Sequence, residues 1–133
     1  MQKQNKIKTT LITLTAVLLC MASPAEAQAP KMSIKALNMH LALKEPKKYA
    51  LKEMQAYGWG KAQFVCLSKL WGKESAWNHK ADNPTSTAYG IAQILGEKNK
   101  HPMLQINNGL RYIEHRYGEP CRAWKFWRVN RWY

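Results

Sequence analysis

Apolar residues along this chain recur mostly at intervals of three and four. Ile34, Leu37 and Leu41 share one helical face, and Pro46 ends that segment. Ala50, Leu51, Met54 and Tyr57 carry a second helical stretch, which Gly58-Trp59-Gly60 breaks. Phe64, Leu67, Leu70 and Trp71 mark a third helix. Asn78 to Thr87 is polar and contains Asn83-Pro84, so a turn-rich loop is expected there. Gly90 to Leu95 is a short apolar run that periodicity assigns to neither helix nor strand. Met103, Ile106, Leu110, Ile113 and Tyr117 form the longest stripe, with Gly118 as its natural stop. Pro120 suits the first turn of a last helix, which carries Cys121, Trp124 and Trp127. No Asn-Gly turn lies between alternating strands, so no hairpin is expected. The pattern predicts a mainly α protein.

The region before these helices reads differently. Lys3, Lys6 and Lys8 are followed by an uncharged run from Leu11 to Ala22, and then by the small-x-small triplet Ala25-Glu26-Ala27. That is the pattern of a secretory signal peptide cleaved after Ala27. The apolar run is far shorter than the roughly 20 residues of a membrane-spanning helix. The expected location is therefore exported, in the periplasm or outside the cell. The 133 residues suit one domain, divided as a leader (1–27), an N-terminal helical extension (28–45) and a folded domain (46–133). Cleavage removes Cys20 and leaves Cys66 and Cys121, an even pair that export turns into an expected disulfide.

Charge and composition narrow the chemistry. A net charge of +13 favours acidic partners, whether anionic polymers or membrane surfaces. No named nucleic-acid motif is present, and no nucleic-acid partner is expected. There is no Gly-rich phosphate loop. His79, Asp82, His101 and His115 do not fall at metal-ligand spacings, so neither a metal nor another cofactor is expected. Ser75 beside a carboxylate is no triad.

Glu74 is the residue out of place. It lies three residues after Trp71, four after Leu70 and seven after Leu67, so a helix reaching that point puts its carboxyl on the apolar face. Burial there would raise its pKa and keep a proton available for a leaving oxygen. If Gly72 ends the helix instead, Glu74 is a solvated end residue.

The residues around Glu74 extend this reading. Glu74-Ser75, Trp77-Asn78, Ala81, Asn83-Pro84 and Ala88-Tyr89-Gly90-Ile91-Ala92-Gln93 follow one another, and then come Gln105-Ile106, Gly109-Leu110, Tyr112-Ile113, Arg116-Tyr117-Gly118, Pro120-Cys121, Ala123-Trp124 and Trp132-Tyr133. From about Pro46 onward this string resembles the soluble-type lytic transglycosylases of the lysozyme-like superfamily, in their compact secreted or phage-associated branch. The resemblance implies a small lysozyme-like helical domain with a catalytic cleft. It implies Glu74 as the single catalytic acid/base, and Ser75, Asn83 and Gln93 lining the cleft.

The implied activity cuts the β-1,4 bond between N-acetylmuramic acid and N-acetylglucosamine in peptidoglycan, leaving a 1,6-anhydro end. No second carboxylate is needed, unlike in two-carboxylate glycosidases, and the only other acid within residues 70–96 is Asp82. Two positions depart from the family pattern. Ala92 stands where a Met is common, and the block that supplies a cleft tyrosine is not recognisable after Tyr117. That wall falls to Tyr112, Trp124 or Trp127, with Tyr112 counted as substrate-binding. Trp77 and Tyr89 are further cleft candidates.

The implied partners are peptidoglycan glycan strands and a secretion, conjugation or phage apparatus, with the protein itself a monomer. Two rivals remain at this point. One is a lysozyme-type hydrolase of the same bond, with Asp82 placing a water. The other is a basic glycan-binding module that does not cleave.

Overall fold

Prolines and left-handed residues set the ends of the helices. The computed structural model describes residues 31–133; the expected leader lies outside the described residues. Helix α1 spans Ile34–Lys44, and the Ser33 hydroxyl caps it by accepting from the Ala36 N–H at 3.2 Å. Pro46 opens α2, Pro46–Glu53, which continues as a 3₁₀ turn, Met54–Tyr57, closed by Gly58 at φ 69°. Helix α3 spans Lys61–Ser75. Helix α4, Pro102–Tyr117, is capped by His101, whose Nδ1 accepts from the Met103 N–H. Gly118 stops it, and α5 follows over Pro120–Asn130. The described residues are mainly helical, with one disulfide among them.

The long stripe on α4 is the spine of the core. Ile106, Leu110 and Ile113 are fully buried, as are Leu67, Leu70 and Trp71 of α3. Tyr49, Ala50 and Met54 close one side, and Ala123 and Trp127 of α5 the other. Gly109 lets α4 come this close: a Cβ there would lie 2.5 Å from Trp71 Cζ2 and 2.7 Å from the Ala92 Cβ.

Two expectations change. The apolar face expected on the first helix is buried only at its end, where Leu41 packs against the core. Ile34 is 78% exposed and Leu37 53%, whereas Ala42 is fully buried. The methyl of Ala42 allows close approach where α1 lies against α2 and α4, and its C-terminal half does the packing. Residues 31–133 form one compact unit that includes α1. The apolar run at 90–95 is part of a small hairpin after all. Strand β1, Ala88–Tyr89, pairs antiparallel with β2, Ile94–Leu95, in the register Ala88↔Leu95 and Tyr89↔Ile94. Its turn takes positive φ at Gly90 (76°) and at Gln93 (51°), so it carries no Asn-Gly signature.

Cys66 on α3 and Cys121 in the first turn of α5 are joined, with their Cα atoms 4.9 Å apart. Gln63 adds a second tie: it donates to Glu119 at 2.9 Å, and its Oε1 accepts the Cys121 N–H at 2.8 Å, an otherwise orphaned donor of the α5 start.

The bridge closes a loop of 55 residues, for which chain entropy gives about 4 kcal/mol. Cys121→Ser is expected to lose about that much stability in denaturant unfolding, as is mild reduction. A loss under about 1 kcal/mol would contradict a structural role for the bridge.

Candidate active site

The site grows out of the last turn of α3. The helix runs past Gly72 to Ser75, so Glu74 continues the face of Leu67, Leu70 and Trp71. The chain then reverses through two left-handed residues, Ala76 (φ 52°) and Trp77 (φ 63°). Such residues cost about 1–2 kcal/mol each, which surrounding packing must offset. The Trp77 ring supplies that packing. It is 7% exposed, lies edge-on to Trp71 at 5.1 Å, and donates through Nε1 to the Ser68 carbonyl at 3.2 Å. Trp77 is thus a core residue and not a cleft wall.

Glu74 is half-buried, and its Oε1 accepts a 2.5 Å hydrogen bond from the Trp127 indole N–H. Burial pushes the Glu74 carboxyl above the ordinary range, and the Trp127 bond pulls partly the other way. Trp127 is held by stacking on Trp124, with centroids 5.3 Å apart, and by the Arg131 guanidinium over its ring.

The loop facing Glu74 is pinned by Gln105 of α4, a polar side chain only 1% exposed. Its Oε1 accepts the Ile91 N–H at 3.1 Å, and its Nε2 donates to His79 at 2.9 Å and Asn99 at 2.8 Å. Gly90 makes room for this amide, since a Cβ there would run into the Gln105 side chain. Within the loop, Gln93 Nε2 donates to the Ala81 and Gly90 carbonyls, and Asn83 Oδ1 accepts from Thr85.

A cavity of about 360 Å³ opens at Glu74, lined also by Asn83 and Gln93 of the loop and by Arg131, Trp132 and Tyr133 after α5. A second, about 220 Å³, shares Gln93, Leu95, Trp132 and Tyr133 with it and adds Tyr112 and Arg116. A third, about 560 Å³, shares Leu95 and Tyr112 with the second and reaches Glu97, Lys98, Arg111 and His115. The three adjoin as one groove.

Of the residues expected at the site, Glu74, Asn83 and Gln93 come together, and Tyr112 lines the next cavity. Ser75 does not line the groove. Its hydroxyl donates to the Ile91 carbonyl at 2.7 Å, so it fastens α3 to the loop. Tyr89 lies outside these cavities, beneath the Lys100 ammonium at 3.7 Å from its centroid. Asp82 is exposed and also lies outside them. Trp124 supports Trp127 from behind.

Tyr133 was noted in the sequence only as part of a closing Trp-Tyr pair, yet its ring lines the Glu74 cavity. Its hydroxyl donates to the Ala92 carbonyl at 2.6 Å and accepts from the Trp71 indole. Burial holds its phenol well above the usual value; the Trp71 bond opposes this and the nearby Glu74 charge adds to it. Glu97 is the other carboxylate of the groove. Burial works against its charge, but hydrogen bonds from Asn108, Asn99 and Lys98 outweigh it and hold Glu97 below the ordinary range. The two carboxyl groups are therefore pushed in opposite directions.

Comparison with protein-family models, with curated proteins and with solved structures gave no match for this chain.

Two outcomes follow from this geometry. Gln105→Leu leaves the buried Ile91 N–H and two part-buried carbonyls without that partner, so chemical unfolding should show a loss of about 2–3 kcal/mol, most of it from the buried N–H. A loss below about 1 kcal/mol would mean that the loop is not held this way. Glu74→Gln should be more stable than the parent at pH 7. A carboxyl whose folded pKa is raised costs stability above its unfolded pKa of about 4.3 and nothing well below it. The gap between variant and parent should therefore close as pH falls towards that value, and a gap independent of pH would contradict a desolvated carboxyl.

Proposed function

We propose that this chain is an exported peptidoglycan lytic transglycosylase with a lysozyme-like domain. One observation carries the reading: a half-buried carboxyl, its pKa pushed up by burial, opens into a cavity of about 360 Å³ that shares lining residues with two more. A protonated Glu74 donates its proton to the glycosidic oxygen between N-acetylmuramic acid and N-acetylglucosamine as the bond from C1 to that oxygen breaks. The resulting carboxylate takes the proton from the muramic acid 6-hydroxyl as O6 bonds to C1. One group thus does both halves of the reaction, and the product ends in a 1,6-anhydro ring.

Trp127 fixes the Glu74 carboxyl, leaving its other oxygen for substrate. Asn83 and Gln93 supply polar contacts at the cavity, while Trp132, Tyr133 and Tyr112 offer ring faces and edges to sugars. The exposure of Asp82 away from the cavities favours this chemistry over a hydrolase built on Asp82. A non-cleaving binder has no use for an acid held at a cost in stability. The basic surface suits an acidic wall, and the reading includes a helper role for a secretion, conjugation or phage apparatus.

Mass spectrometry of fragments released from purified peptidoglycan tests this, because an anhydro end is one water lighter than a hydrolysed end. The parent should release anhydro ends, with activity falling as pH rises through the elevated Glu74 pKa. Glu74→Gln should lower the rate by about 10²–10⁴-fold. Asp82→Asn should keep most activity. Water-added ends, lost with Asp82→Asn, would replace the transglycosylase reading by a hydrolase. Near-parental turnover by Glu74→Gln would refute both.

A further inference from the structure

Arg116 is held in a way that the cleavage chemistry does not explain. Its guanidinium lies over three aromatic rings, 5.1 Å from the Trp132 centroid, 5.6 Å from Tyr117 and 5.8 Å from Tyr112. Its Nη1 donates to the Tyr112 hydroxyl at 2.8 Å. Arg116 is exposed, but the rings and the Tyr112 bond bias its rotamer, so less freedom remains to be lost when the fork binds a ligand.

Among the described residues no carboxylate lies within ion-pair distance of it. Among the described residues the ion pairs are Lys48–Glu45, Lys52–Glu53 and Arg122–Glu119, and Arg116 is in none of them. The rest of the groove does not neutralise it either. Glu74 is disfavoured as an anion, and the Glu97 oxygens are engaged by Asn99 and Asn108. Arg131 in the first cavity and Lys98 and Arg111 in the third add positive charge on either side.

We propose that the cavity of Tyr112, Arg116 and Trp132 is a carboxylate subsite. In it the Arg116 fork binds a carboxylate carried by the glycan strand beside the bond at Glu74. This rests on the glycan-cleaving reading above. Two groups share that chemistry: the free lactyl carboxylate of unsubstituted muramic acid, and the terminal carboxylate of a short peptide attached there. A guanidinium meets either through two parallel charge-assisted hydrogen bonds. Lysine presents only a point charge and would meet it less well.

The test is calorimetric binding to the full-length Glu74→Gln protein, which holds substrate without turnover. The ligands are tetrasaccharides of alternating N-acetylglucosamine and N-acetylmuramic acid. One carries free lactyl acids, one their methyl esters, and one lactyl groups extended by a dipeptide with a free terminal carboxylate. At least one of the carboxylate ligands should bind about tenfold tighter than the ester. Adding Arg116→Gln should abolish that preference with ester affinity unchanged, and Arg116→Lys should keep part of it. A preference confined to the free acid assigns the lactyl group, and one confined to the peptide form assigns the stem. Equal affinity for all three ligands overturns the subsite and leaves the glycan groove standing. So does an equal loss for ester and acid with Arg116→Gln, which would make Arg116 a wall. Absence of binding by every ligand overturns the glycan reading as well.

Discussion

A single buried amide holds the candidate site in shape. Gln105 ties three separate backbone segments to α4, at His79, Ile91 and Asn99. The Ile91 N–H is buried and would otherwise be stranded away from water, while the His79 and Asn99 carbonyls are part-buried, so losing the amide costs most at Ile91. Its effects spread outward. With Ile91 fixed, its carbonyl meets the Ser75 hydroxyl at the end of α3. With Gly90 in place, the Gln93 amide closes the turn. Asn83 and Gln93 are thereby carried to the cavity that Glu74 enters from the helix. The side chains that would meet substrate depend on one that never does.

The second constraint is desolvation of an acid. Leu70 and Trp71 bury the turn that bears Glu74, and α5 brings Trp127 to its carboxyl. The disulfide and Gln63 anchor the start of α5 to the start of α3, and Arg131–Tyr133 returns from its far end to line the cavity. A raised pKa means that the ionised form is worse off in the folded state than in the unfolded chain. The fold carries this cost at neutral pH and offsets it with a dense aromatic core. The same feature that weakens the protein is the one on which the proposed proton transfer rests.

The disulfide was legible only by counting the two cysteines that remain after the expected leader. The helices were legible because their signals are local: apolar spacing, proline starts and glycine stops. The Glu74 anomaly was legible for the same reason, once α3 was seen to outlast Gly72. Four things were not. The hairpin escaped because its turn uses left-handed Gln93, which no dipeptide rule flags. Ile34 and Leu37 misled because spacing defines a stripe, while the size of Ala42 decides which face another helix can approach. Ser75 lies off the cavity and Tyr133 lines it because position near a motif does not say where a hydroxyl finds its partner. Gln105 appeared only as one letter in a matched string. Long-range polar satisfaction leaves no periodic trace in sequence.

The state of the Glu74 carboxyl is the centre of this account, and carbon-13 NMR titration of that carboxyl observes it directly. The account predicts a midpoint clearly above the free glutamate value of about 4.3, with the Trp127 indole proton shifting through the same midpoint. A midpoint at or below that value, with an indole signal indifferent to it, would show an ordinary solvated carboxylate and contradict the account.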